Sequence, residues 1–287
     1  SVFDPGASPD DSDDGWFTYD TTNGLGMPSD EVRSVAVDGD TVWIGGVQRR
    51  DAATGDWVGG GLGRLDHGGT LDPRDDRWAP VSTFESTYRE EPGLAPEPGL
   101  VSDTINDILV SPQGKVWVAA SPHWRFGSGA DPTGPDEWQR QHGGLSFVDP
   151  RGTLDGSDDV WTGFSCELLE LAVTCNVRRL ALDPRGRGWA ADGGRGVIHF
   201  DPELGQLGGA QARFMPPSET EGDAFVLDLA FGPTAEPALA DTVWLATRTG
   251  GVAVLDHGGT LASRGDDLWN MDRGAPVGAT DGLARDR

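Results

Sequence analysis

The feature that most constrains this chain is that it repeats itself. Four segments align without gaps: Val32 to Gly39 (VRSVAVDG), Ile105 to Pro112 (INDILVSP), Val177 to Pro184 (VRRLALDP) and Val226 to Pro233 (VLDLAFGP). Each is a short apolar run closed by a turn residue, the pattern of a strand buried on both faces. A second run follows around Trp43, Trp117, Trp189 or Trp244, with a small residue two places beyond the Trp. A third run ends in Asp66, Asp149, Asp201 or Asp256, and a fourth opens on an aromatic residue, Trp78, Trp161, Phe214 or Trp269. These four runs are strands a, b, c and d. The interval from Asp to aromatic residue is 12, 12, 13 and 13 residues in the four copies, and Asp4 to Trp16 repeats it at 12. Residues 1–22 therefore read as strands c and d of a preceding unit.

A unit of four short antiparallel strands, copied in tandem, protects its sheet edges when the copies are arranged radially. The expected fold is all-β, a partial β-propeller of four whole four-stranded blades plus strands c and d of another. Blade boundaries fall at 23–98, 99–169, 170–220 and 221–278. Residues 279–287 resemble the stretch that leads into Ile105 and read as the approach to a further blade. A stacked β-solenoid is the structural alternative, but it favours shorter and more uniform repeats than the 73, 72 and 49 residues that separate successive strands a. Closing a ring would need further blades, from this chain or another.

The same residues resemble the two-component regulator propeller repeat of bacteria. Its pattern reads here as Asn23-Gly24-Leu25, Ser29, Val32 to Val37, Asp38-Gly39, Trp43-Ile44-Gly45, Gly61-Leu62 and Leu65-Asp66. Looser copies follow, among them Gly99-Leu100, Ser102, Trp117, Gly144-Leu145 and Val148-Asp149. Gly46 departs from the usual Thr, and the c–d loops carry an Asp-rich insertion. The resemblance implies a β-propeller like the periplasmic input domain of a sensor. It also extends to other secreted and surface proteins. No segment resembles a transmitter kinase or a DNA-binding output domain.

Composition narrows the partners. With 47 acidic and 22 basic residues the formal charge is −25, a field that repels phosphate backbones and argues against nucleic acid. No apolar run is long enough to span a membrane. Cys166 and Cys175 flank one strand-to-strand connection, as a local disulfide or as two small buried thiols. A disulfide would imply an oxidising, extracytoplasmic setting: periplasm, cell surface or medium.

Strand alternation puts the b–c loops and the d-to-a connections on one face, and the a–b and c–d turns on the other. From the strand-b Trp to strand c the interval is 19, 28, 8 and 8 residues, so the first two blades carry long insertions on the same face. They hold Arg49, Arg50, Trp57, His123, Trp124, Arg125, Trp138 and Arg140, aromatic and cationic groups suited to docking a ligand, a glycan or a protein. Folding back over their own loops is the alternative role for these Trp.

The opposite face carries the Asp-rich c–d segments, with Asp66, Asp72, Asp75 and Asp76 in one blade and Asp149, Asp155, Asp158 and Asp159 in the next. Clustered carboxylates with glycine turns are either oxygen ligands for Ca²⁺ or local turn formers, and their spacing does not match an EF-hand. No other cofactor is expected. The five His are scattered, and no nucleophile elbow, His-x-x-x-His or Cys-x-x-Cys is present. The expected role is thus non-enzymatic: an extracytoplasmic propeller that binds a ligand or partner through its b–c and d–a loops. A structural or adhesive module with Ca²⁺ in its turns is the second reading, and a propeller lyase or hydrolase the third.

Overall fold

The structure, a computed structural model, describes residues 2–4, 15–55, 57–70, 72–87, 99–122, 143–164, 176–193, 196–214, 226–236, 239–248 and 251–272. A two-stranded hairpin, β1 (Val2–Asp4) and β2 (Gly15–Phe17), comes first. The first full sheet comprises β3 (Val32–Asp38), β4 (Thr41–Gly46), β7 (Gly61–Asp66) and β8 (Arg77–Trp78); a small hairpin, β5 (Arg49–Arg50) and β6 (Trp57–Val58), lies between β4 and β7. One helical turn, α1 (Phe84–Thr87), follows. The second sheet is β9 (Thr104–Val110), β10 (Val116–Ser121), β11 (Gly144–Asp149) and β12 (Val160–Phe164). The third is β13 (Val177–Leu182), β14 (Gly188–Asp192), β15 (Gly196–Asp201) and β16 (Gln206–Phe214), and the fourth is β17 (Val226–Phe231), β18 (Thr242–Thr247), β19 (Val252–Asp256) and β20 (Leu268–Asp272).

In every sheet neighbours in sequence are neighbours in space and all pairs are antiparallel. These are propeller blades, strands a to d in order. The repeat is kept at the level of single residues. The strand-b tryptophans pair with Ala36, Leu109, Ala181 and Ala230 on strand a and with Arg64, Phe147, His199 and Val254 on strand c. Leu65 pairs with Trp78, Val148 with Trp161 and Leu255 with Trp269, and the N-terminal Phe3–Trp16 pair reproduces that register. The third blade departs from the sequence expectation. Its strand d does not open on Phe214 but ends there: a tight turn at 202–205 lets β16 start at Gln206, and Leu207 occupies the place of the aromatic residue.

Blades pack face to face, strand b of one against strand a of the next. Trp117 lies 4.1 Å, centroid to centroid, from Phe200 of the following blade and stacks on Phe164 of its own. Its indole N–H donates to the Pro202 carbonyl at 3.0 Å, which satisfies its one polar group. The small residue beyond each Trp makes room for the neighbour. A Cβ on Gly45 would lie 2.6 Å from Ile105 of the second blade, and Ala119, Ala191 and Ala246 are fully buried. The residue three places into strand a shows the direction of packing. Ile108, Leu180 and Leu229 are 7%, 3% and 1% exposed against the blade before them, whereas Val35 of the first full blade is 58% exposed.

Each strand a is interrupted by a β-bulge near its start, at Arg33, Asn106, Arg178 and Leu227. The extra residue turns the next side chain toward the neighbouring blade. Ser34, Asp107, Arg179 and Asp228 occupy that next place. The Ser34 hydroxyl donates to Asp107 at 3.1 Å, Arg179 lies 3.6 Å from Asp107, and its Nε donates to Asp228 at 3.1 Å. Asp107 also accepts from the Leu180 backbone N–H at 2.9 Å. A polar chain thus runs through four blades.

Candidate binding face

The b–c and d–a connections emerge at one end of the blades, and in the first blade they form a tied structure. The expected loop carrying Arg49, Arg50 and Trp57 is a short hairpin, with Arg49 paired to Val58 and Arg50 to Trp57. Its base rests on Asp103, which begins the second blade. The Gln48 side-chain amide donates to that carboxylate at 3.4 Å, the Phe84 backbone N–H at 2.6 Å, and Gly61 N–H to the Asp103 carbonyl at 2.8 Å. The return path into strand c runs through Gly59-Gly60-Gly61, with φ of 75°, 90° and 94°. Only glycine takes this path freely, and a Cβ on Gly60 would sit 2.5 Å from the Asp103 carbonyl. Arg49, 4.0 Å from Asp30, is open to solvent, and Trp57 is half-buried at the hairpin's end. The other expected docking residues, His123, Trp124, Arg125, Trp138 and Arg140, lie outside the described residues, as do Cys166 and Cys175.

Further cations stand on the same face. Arg33 and Arg178 are bulge residues, and Arg248 follows the last residue of β18. Arg33 donates to Asn106 Oδ1 at 3.2 Å, and Asn106 donates to Asn176 Oδ1 at 3.0 Å and to the Val177 carbonyl at 2.7 Å. That link fixes the backbone just before Arg178. Partial burial, followed by the like charges of Arg33 and Arg248, holds the Arg178 guanidinium below the ordinary arginine range. The signal available in the sequence was Val-Arg at the start of two of the four strand-a copies.

Below this end, the four inner strands line a cavity of about 920 Å³, reaching from Arg33 and Asp107 to Pro184 and Thr234. Burial raises the Asp107 carboxyl above its usual range despite the donors that face it.

On the opposite face, donors of the protein itself engage each of the eight carboxylates in the Asp-rich segments. Asp66 accepts from Gly68 N–H and pairs with Arg77, Asp72 accepts from Arg74 N–H, and Asp75 is held by the Thr70 hydroxyl at 2.8 Å. Asp76 accepts from the Tyr19 hydroxyl. The next blade repeats the scheme. Asp149 is bound by Lys115 and Arg151, Asp155 by Ser157 N–H and Asp158 by the Thr153 hydroxyl at 2.9 Å. Asp159 forms a buried ion pair with Arg64 at 3.2 Å, and the Arg64 guanidinium lies 5.0 Å over the Trp43 ring. Among the described residues no group of three or more His, Cys, Asp or Glu side chains is placed to hold a metal ion.

No protein-family model and no curated protein matches this chain. Solved structures do. The extracellular domain of BT4673 from B. thetaiotaomicron, assigned to the one-component or hybrid two-component systems, superposes on 89% of the chain with a TM-score of 0.51 and 15% identity. The extracellular domain of BT3049 from the same organism matches at a TM-score of 0.44 and 14% identity over 85% of the chain. PorZ, a surface component of the type-IX secretion system of Porphyromonas gingivalis, matches at 0.44 and 17% over 78%. The chain spans about a quarter of each neighbour's length, 25%, 25% and 26%. At these identities the likeness is one of fold. It agrees with the propeller repeat that the sequence resembles. No described helix is long and apolar enough to cross a membrane.

Proposed function

We propose that this propeller is a non-enzymatic, extracytoplasmic recognition domain. It binds a ligand or partner through the face that carries the b–c and d–a connections, in the manner of a sensor's input domain. The observation that carries the reading is the tied hairpin of the first blade. Its base is fixed by Asp103 and three glycines, so the hairpin carries Arg49 and Trp57 on a rigid mount. The extracellular neighbours support the location. A disulfide between Cys166 and Cys175 would accord with it, and would appear as an intact mass lighter by two hydrogens.

The test is a binding screen of the purified domain against immobilised glycans and extracytoplasmic proteins, followed by titration calorimetry. Arg49→Ser and Trp57→Ala should each weaken the captured interaction by roughly tenfold or more while Arg49→Ser leaves the melting temperature unchanged. If both variants bind like the parent and Lys115→Ala on the opposite face abolishes binding, the assignment of the face is wrong.

A further inference from the structure

We infer that the face of the first full blade that looks away from the second is a docking surface for a two-stranded β-hairpin. The guest is strands a and b of a further copy of the repeat, laid over Val32 and Val35 and paired with the free edge of β1.

The face is covered on one half and bare on the other. In the next three blades the strand-a pair is Ile105 and Ile108, Val177 and Leu180, or Val226 and Leu229, and none of these side chains is more than 7% exposed. Each pair shares an apolar cluster with the strand-b Trp of the blade before it, Trp43, Trp117 or Trp189. Val32 and Val35 hold the same two places in the first full blade and are 38% and 58% exposed. Farther out on that sheet the picture is reversed. Leu65 of strand c is buried, and a Cβ on Gly63 would lie 2.8 Å from both the Gly26 carbonyl and Pro28. Trp78 of strand d meets the Tyr19 ring at 5.4 Å, and the Tyr19 hydroxyl donates to Asp76. The N-terminal residues thus cover the outer strands, as strands c and d of a preceding blade do. The ground left bare is that of strands a and b.

Two features name the guest. Strand c of every full blade lies between strands b and d, whereas β1, in the register of a strand c, has only β2 beside it among the described strands. An unpaired edge beside exposed valines is a template for an added strand. The backbone adds a second match. The Ile108 N–H donates to the Ser34 hydroxyl of the blade before it at 3.0 Å, and the Leu180 N–H donates to Asp107 at 2.9 Å. The equivalent donor in the first full blade is that of Val35, so the guest brings a polar side chain in the place after its bulge and a Trp in its second strand. A whole blade of a second copy does not fit, because β1 and β2 already stand where its strands c and d would lie.

The experiment extends the whole chain at its N-terminus with a copy of residues 177–197, strands a and b of the third blade with their short b–c loop. The last residue of the copy then precedes Ser1 as Val197 precedes Ile198, which brings the extension to β1 in register. The tether gives the hairpin a high effective concentration. The extended chain should melt about 3 °C or more above the parent, and the same residues in scrambled order should give no rise. Trp189→Ser within the copy should cancel the gain. Val35→Asp should cost more in the extended chain than in the parent, where Val35 faces water. Amide exchange in β1 and β3 should slow only with the intact copy. No rise, an equal rise with the scrambled extension, or an equal cost of Val35→Asp in both chains overturns the docking surface. Self-association of the parent in sedimentation that Val35→Asp abolishes would overturn it too, and would give the face to a second copy.

Discussion

Arg151 is the one described residue other than glycine with a positive φ, at 50°. It stands in the c–d turn where the other two Asp-rich copies have Gly68 and Gly258, at 64° and 60°. A left-handed backbone is costly for a side chain with a Cβ, and the 3.4 Å contact of Arg151 with Asp149 is too exposed to offset it. Arg151→Gly should therefore stabilise the domain by about 0.5–1 kcal/mol in chemical denaturation; a loss of stability would show that the Asp149 contact dominates. Asp107 supports a pH prediction. Burial raises its folded-state pKa above the unfolded value near ~3.9, so its stabilising contribution is complete below that pH and is lost as pH rises through the folded value. Denaturation midpoints of the parent and Asp107→Asn, taken between about pH 3 and pH 7, should give a difference in favour of the parent that is flat at the acid end and shrinks above it. A difference that widens with pH would mean that the Arg179 pairing outweighs burial.

The c–d turn has one design written three times. A hydroxyl grips the carboxylate five or six residues on: Thr70 with Asp75, Thr153 with Asp158, Thr260 with Asp266. Because those oxygens already face donors of the protein, added Ca²⁺ should leave the melting temperature where it was. A saturable rise that chelator reverses would assign the turns to metal instead. The spacing of the Asp residues was legible in the sequence, but their partners were not, since a carboxylate looks the same before a hydroxyl or a cation. Strands a to c were legible because each carries an apolar run with a fixed Trp or Asp. Strand d of the third blade was misplaced because Leu207 gives no aromatic signal, and Phe214 lay at the expected distance by coincidence. Of the proposed binding face, the lengths of the b–c loops were legible in the sequence. The cations of that face were hidden because Arg33 and Arg178 sit inside strands, where bulges that no composition announces release their side chains.

Across the whole molecule, stability comes from contacts between successive blades, as in other quasi-linear arrays. Strands b of the second and third blades, β10 and β14, have a neighbour on each side, and Trp117 and Trp189 are fully buried there. Native-state amide exchange should be slowest in those two strands and faster in β3 and β20; equal protection throughout would show one cooperative unit with no gradient. The bulged inner strands carry a consequence for ancestry. The side chains that follow the bulge read Ser34, Asp107, Arg179 and Asp228, so each tie depends on who stands next to whom. Were the second and third copies exchanged by recombination, two aspartates would meet where a cation and an anion now do. Copies that began as interchangeable duplicates have thereby become a worded sentence, legible in one order.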